Sequence, residues 1–565
     1  MRKPENPEAP GGPGLRPGFA RFWGISEGWN HPKPRPYGLG RYGFWKFFLV
    51  LVSLALIIPL AGPLAQLILP RGKAWDHLAG TVLGRYSATT LILVAGVVPL
   101  SGILGTVSAW IVSRYRLPLG WMVDLLLILP LGLPSYLTAY AYAGVFDYFG
   151  PLHDALVFLG MSREAASGLR IQSLPGLIFV LTVSLYPYVY IVMRSRFSHG
   201  LTAPLEAARS LGARGFRQFW GVALPISRPA LAGAMGIVLM EVLGEYGAVT
   251  YFGFDTLTTG VFKAWFGFYD LASAGRLGGM VILLVLGILW VEQRLRRNRG
   301  FSAEYRRSRD LERMGVLPWK AAGLGLIAVL PGVLGFLVPV MQILSWAWMA
   351  LPEARWAPVM AGISNTLGLA LGTALLGVVL SVFLGYARRL SGRGVLFRFS
   401  EISLLGHSIP GAVVSLGVLG LGGVVSSWLG LNTSVGAAAI MLLVFGYLVR
   451  FLSVAQRPIS AALEHSGRSL DEAGRSLGCG PLATLLRVHV PTLGRPAAAG
   501  LVLMFLDIAK ELPLTIILRP FNFNTLAVRA YELAANEMVH AAAIPSSMLV
   551  ILGMIGVLLI RKRLL

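Results

Sequence analysis

Four acidic residues carry the chemistry this sequence advertises. Glu241 and Glu245 form one pair, Asp507 and Glu511 a second, each pair spaced by four inside an apolar stretch. On a helix that spacing puts both carboxylates of a pair on one face. Carboxylates in hydrocarbon are costly, so they must face a bundle interior, water or a partner charge, and Lys510 is a candidate partner for the second pair. Two readings stay open. The groups form a ring of hard oxygen ligands or electrostatic guides for a passing cation, or they lie near the outer interface, solvated or in interhelical ion pairs. Glu241, Glu245, Asp507, Lys510 and Glu511 are therefore the candidate pathway residues, with no stable metal site expected.

Nothing else is arranged for catalysis. The eight His show no H-x-x-x-H or H-E-x-x-H spacing, His407 stands by itself in an apolar run, and no nucleophile has an attendant base. A G-x-x-x-x-G-K-S/T phosphate loop is missing from the sequence, so any ATP must be hydrolysed on another polypeptide. The one cysteine, Cys479, excludes an intrachain disulfide framework and reads as a passive small residue. The chain is expected to be no enzyme and to bind no cofactor itself.

The elements that must position the carboxylates are membrane spans. With 55% hydrophobic and 13% charged residues over 565 positions, the chain is too apolar for a soluble multidomain protein. Its formal charge of +23 would elsewhere suggest nucleic acid, but here the basic residues cluster in loops on one side of the expected spans, as the positive-inside rule requires. A span needs about 20 apolar residues. Twelve runs qualify, near 47–69, 86–111, 121–146, 175–193, 229–250, 277–292, 322–350, 363–387, 400–424, 435–455, 497–518 and 545–560. The expected class is an all-α polytopic membrane protein of about twelve transmembrane helices. Residues 1–46 read as a cytoplasmic basic Pro/Gly-rich tail, 47–292 as a first half, 293–320 as a basic cytoplasmic linker and 321–565 as a second half, with both termini cytoplasmic.

The halves repeat each other. Thr90-Leu91 matches Thr366-Leu367, and Leu133-Pro134 matches Ile409-Pro410 at the same separation; Phe254-Asp255-Thr256-Leu257 matches Phe523-Asn524-Thr525-Leu526. An even number of spans separates equivalent points, which implies two parallel six-helix repeats with a pathway between them. Two polar loops share a stricter grammar. Glu206-Ala207-Ala208 is followed by Gly212 six residues after the glutamate and Pro225 nineteen after it; Glu472-Ala473 is followed by Gly478 and Pro491 at the same distances. A short helix ended by glycine, with a proline ahead of the next span, suits a rigid lever. Ser469-Leu470-Asp471-Glu472 also fits a capping box, but Ala203 stands at the first-half position of Ser469 while Glu206 remains. Gly474 departs from the repeat where a third alanine is expected.

These paired loops resemble the EAA motif of ABC-importer permeases, in the fused form of the binding-protein-dependent transport family that carries both halves on one chain. The stretches Tyr251 to Gly253, Thr258 to Gly267, Lys510 to Pro513 and Leu518 to Ala527 resemble ferric-iron transport permeases more narrowly. The resemblance implies a bacterial inner-membrane importer that receives ferric iron from a periplasmic binding protein. It also implies two copies of an ABC ATPase subunit, holding ATP and Mg, docked at Glu206, Ala207, Ala208, Gly212 and Pro225 and at Glu472, Ala473, Gly478 and Pro491. Rival readings are the same importer type for thiamine, a phosphonate or a polyamine, and a secondary transporter of the major facilitator type. Against the last, the loop Ser113 to Gly120 lacks the Gly-x-x-x-Asp-Arg signature.

Overall fold

A backbone that crosses hydrocarbon must satisfy its own N–H and C=O groups, so each long apolar run here folds as a helix. The computed structural model describes residues 43–297 and 311–564, apart from 167, 200, 393, 431–435 and 468. Ten described helices are long and apolar enough to span a membrane, and two bent helix pairs raise the number to twelve. The protein is an all-α polytopic membrane protein. Most of the basic tail (1–42) and the middle of the linker (298–310) lie outside the described residues.

The principal helices of the first half are α1 (Gly43–Ala65), α2 (Leu83–Arg114), α3 (Gly120–Ile128), α4 (Ser135–Val145), α5 (Leu174–Ser198), α6 (Thr202–Ser210), α7 (Leu224–Gly244), α8 (Gly247–Tyr251), α9 (Leu257–Phe262) and α10 (Leu271–Arg297). The second half follows the same plan with α11 (Pro318–Gly332), α12 (Val338–Ala350), α13 (Trp356–Ser391), α14 (Val395–Ser403), α15 (Gly411–Leu429), α16 (Gly436–His465), α17 (Ser469–Ser476), α18 (Gly494–Ala509), α19 (Pro513–Leu518), α20 (Leu526–Ala535) and α21 (Val539–Leu564).

The third span is not the continuous 121–146 helix that hydropathy suggests. α3 runs into a 3-10 turn at Leu129–Gly132, and α4 leaves at 103°. A proline disfavours helical backbone in the residue before it, and Leu133 accordingly sits at ψ 117°. Ile409 (ψ 134°) and Pro410 repeat the device between the 3-10 turn Leu404–Ser408 and α15, so the expected 400–424 span is interrupted too. Two other sequence matches meet in space. The Thr90 hydroxyl accepts the Leu257 N–H at 3.1 Å, and the Thr366 hydroxyl accepts the Leu526 N–H at 2.8 Å.

Each half lends its first span to the other. α1 packs on α13, α14 and α15, whereas α11 and α12 pack on α2, α3 and α4. Trp45 meets the edge of Tyr386 at 5.1 Å, and Trp346 lies 4.8 Å from Tyr140. The Tyr142 hydroxyl donates to the Leu334 carbonyl at 2.8 Å, so the exchanged spans also satisfy buried polar atoms. The linker is tied down as well. Leu311 N–H bonds the Ser198 carbonyl (3.0 Å), Met314 N–H bonds Arg114 (2.8 Å), and Arg116 N–H returns to Met314 (3.0 Å). Carbonyls at the ends of α2 and α5 have no partner within their own helix, and the linker amides supply one.

Candidate functional site

The two levers are built alike. α6 buries Leu205 and Ala208 and leaves Glu206 exposed. It closes in a Schellman turn: Gly212 has φ +83°, its N–H bonds Arg209 (3.0 Å), and the Ala213 N–H bonds Ala208 (2.9 Å). α17 closes the same way, with Gly478 at φ +76° and the Cys479 N–H on Gly474 (2.9 Å). Glu472 is exposed, and Ser469 is the first residue of α17 rather than the cap before it, so the capping-box reading does not hold. A π-helical turn follows each lever, at Phe219–Ala223 and Leu485–His489. Pro225 then sits in the first turn of α7, and Pro491 in the short helix Val490–Thr492. Around both levers apolar side chains are exposed at matching positions: Leu211 (88%) with Leu477 (83%), Phe216 with Leu482, and Trp220 with Leu486.

Beneath this symmetry lies a difference that the sequence reading missed. Asp471, noted there only as part of a capping pattern, is buried and takes Arg389 Nε on one oxygen and His489 Nε2 on the other, both at 2.8 Å. Burial pushes its carboxyl up, but the hydrogen bonds from His489 and Arg389 and the Arg389 charge outweigh this and hold it below its ordinary value. Arg389 also donates to the carbonyls of Leu463, Ser466 (2.8 Å) and Gly467 (3.0 Å), capping the end of α16. The counterparts of Asp471 and His489 in the first half are Leu205 and Ala223, both buried. One lever is seated by an apolar contact and the other by ions.

The carboxylates do not lie on one regular helical face, as their spacing suggested. α7 ends at Gly244 and α18 at Ala509, so Glu245 and Glu511 fall just beyond the helices. Each turns its side chain onto the amide of the next short helix: Glu245 accepts from Ala248 N–H and Glu511 from Leu514 N–H, both at 2.9 Å. Glu241, Glu245, Glu511 and Lys510 line one cavity of about 100 Å³ between the halves. Asp507 is not among its lining residues but holds Lys510 Nζ at 3.0 Å. Arg450, which the sequence reading passed over, enters from α16 and pairs with Glu511 at 3.1 Å. Its signal was there, an arginine in the middle of an apolar span.

The cavity is asymmetric because two of its positions differ between the halves. The first-half counterpart of Arg450 is Ser184, and that of Gly411 is Ser135. Ser135 donates its hydroxyl to Glu245. At Gly411, by contrast, a Cβ would collide with the Arg450 guanidinium and stand 2.6 Å from the Glu511 carboxylate. The second half thus gives up a side chain to admit an ion pair. Among the described residues no cation bonds Glu245, and Glu241 is approached by the Tyr188 hydroxyl at 3.4 Å. No group of three or more His, Cys, Asp or Glu among them comes together to hold a metal, so the four acids do not form a ring in this conformation.

Comparison with known proteins fits this architecture. Residues 101–292 match the family described as binding-protein-dependent transport system inner membrane component. The chain is 22% identical over 535 residues to the Fe(3+)-transport system permease protein FbpB 2 of Haemophilus influenzae, covering 91% of this chain and 98% of that one, so the likeness runs through both halves. It is 27% identical over 205 residues to the sulfate transport system permease protein CysT of Salmonella typhimurium (36% of this chain, 71% of the relative). It is 26% identical over 167 residues to the molybdenum transport system permease protein ModB of Azotobacter vinelandii (30% and 68%).

Proposed function

We propose that this multi-pass chain is a permease of the ABC-importer type, an inner-membrane component of a binding-protein-dependent transport system, as its similarities and its many spans support, and that its cargo is ferric iron. The observation that carries this reading is the charge of the cavity between the halves. Three carboxylates line it against two cations, Arg450 and Lys510, and the acidic excess favours a cation over sulfate or molybdate, which carry two negative charges. The end-to-end similarity to an Fe(3+)-transport permease supports the same choice.

In this reading the exposed apolar side chains around α6 and α17, with Glu206 and Glu472 among them, receive two copies of an ATPase subunit that holds ATP and Mg. Contiguous apolar exposure beside polar groups suits a protein contact. The Schellman turns at Gly212 and Gly478 and the prolines Pro225 and Pro491 make each lever stiff. Closure of the ATPase pair tilts the levers, and the cavity alternates between the two sides of the membrane. The termini face the cytoplasm, 1–46 and 293–320 are tail and linker, and a periplasmic binding protein delivers the metal at the outer loops. There Asp255 is held by Arg85 (3.0 Å) and Lys263 (2.6 Å).

Uptake of radiolabelled ferric iron under iron limitation, with and without the gene, tests the cargo against labelled sulfate, molybdate and thiamine. Loss of iron uptake is expected. Intact iron uptake with loss of one of the others reassigns the cargo while leaving the permease reading in place.

A further inference from the structure

A second cavity, of about 540 Å³, opens at the end of the bundle where α2 and α5 finish. Its walls come from three parts of the chain: Trp121 and Asp124 of α3 with Arg194 of α5, Arg313 of the linker, and Leu558 and Arg561 of α21. Three arginines face one carboxylate. Asp124 is already engaged, by the Tyr190 hydroxyl and by Arg194 Nε at 3.4 Å. Arg194 is further held by Ser198 and by Ser113 (3.4 Å), which fixes its guanidinium. Arg561 donates one nitrogen to the Trp121 carbonyl at 3.0 Å. Arg313 is exposed, and among the described residues its backbone carbonyl is engaged by Arg116 Nε at 3.1 Å while its guanidinium has no bonded partner. The cavity is therefore left with an excess of positive charge and unused N–H donors.

Its rim is apolar. Trp121 and Leu558, which line it, are both exposed, and so are Leu119 just before α3 and Leu317 and Trp319 at the start of α11. α11 begins here and α21 ends here, so the rim stands at the level where spans leave the hydrocarbon, and tryptophans favour that boundary. An arginine pocket bordered by apolar side chains at this depth matches one chemistry, a phosphate group carrying acyl chains. We propose that this pocket binds the phosphate of an anionic phospholipid, with its chains lying along Trp121 and Leu558. Bound there, the headgroup joins the first half, the linker and the last span of the second half through Arg194, Arg313 and Arg561.

The test uses the full-length permease in nanodiscs of phosphatidylcholine with a rising fraction of phosphatidylglycerol, read by native mass spectrometry of retained lipid and by the thermal unfolding midpoint. Wild type is expected to retain phosphatidylglycerol and to unfold at higher temperature as its fraction rises. Arg313→Gln with Arg561→Gln should weaken retention on the order of tenfold or more, while Arg398→Gln with Lys46→Gln, which removes equal charge outside the pocket, should not. If the double variant does not fold, Arg313→Gln is read by itself, since that exposed side chain makes no hydrogen bond or ion pair among the described residues. Equal retention in wild type and pocket variants overturns the proposal. So does an equal stabilisation by inorganic phosphate in pure phosphatidylcholine, which would make a free anion the ligand.

Discussion

Arg450 pairs with Glu511 at 3.1 Å inside the membrane region, in space that exists because residue 411 is glycine. Both side chains are nearly buried, so removing one partner strands the other charge. Glu511→Gln is expected to destabilise the permease by about 3–5 kcal/mol. Arg450→Ser with Glu511→Gln, which removes both charges and leaves at 450 the serine that the first half has at 184, should recover most of that loss. Thermal unfolding in detergent decides it: a double variant as unstable as the single one would mean that the pair is not a unit.

Among the described residues the first-half carboxylates make no such ion pair, which makes them the better candidates to meet a passing cation. Glu245→Gln keeps an oxygen to accept from the Ala248 N–H, so its fold should persist. Glu241→Gln with Glu245→Gln is expected to cut iron uptake at least on the order of tenfold while the ATPase still co-purifies. Undiminished uptake would remove these residues from the pathway.

Glu206→Ala with Glu472→Ala should abolish uptake and leave membrane insertion unchanged. Gly212→Ala or Gly478→Ala forces a side chain into left-handed backbone at a cost of about 1–2 kcal/mol. Because nothing lies within 4 Å of a Cβ at either position, strain in the lever is the effect being read. Co-purification of the ATPase, scored beside uptake, separates lost docking from lost motion.

Asp471 makes the second lever sensitive to acid. Its carboxyl is held below the ordinary value, so its contribution is present above the unfolded-state value, near 4, and is lost as pH falls through the depressed folded value. Asp471→Asn should loosen α17 at neutral pH, seen as faster amide hydrogen exchange across residues 469–476. Wild type and variant should converge only in strong acid. Equal exchange at pH 7 would mean that the contacts of Asp471 with Arg389 and His489 do not seat the lever.

Much of this was legible in the residues. Thr90-Leu91 and Thr366-Leu367 were visible as a repeat, as were Thr256-Leu257 and Thr525-Leu526, but that the two motifs bond each other in each half was not, because a repeat has no direction in space. Glu241 and Glu511 were recognisable as charges in hydrocarbon. The expectation that each pair, Glu241 with Glu245 and Asp507 with Glu511, shares one helical face does not hold, because Glu245 and Glu511 lie past the helix ends and accept the next amides. Arg450 was overlooked for want of a local partner; Glu511 is far from it along the chain.

What the sequence determined by itself was the all-helical, many-spanning class, the duplication and the grammar of the levers. These follow from local requirements, the bilayer's demand for long apolar runs with internal hydrogen bonds and a glycine where backbone turns left-handed. The tertiary structure decided the exchange of first spans between halves, the direct ion pairs at Asp507 and Glu511, and the ionic seat of α17. Each depends on which distant side chain fills a given volume, and in a packed interior that is settled by the whole arrangement of helices.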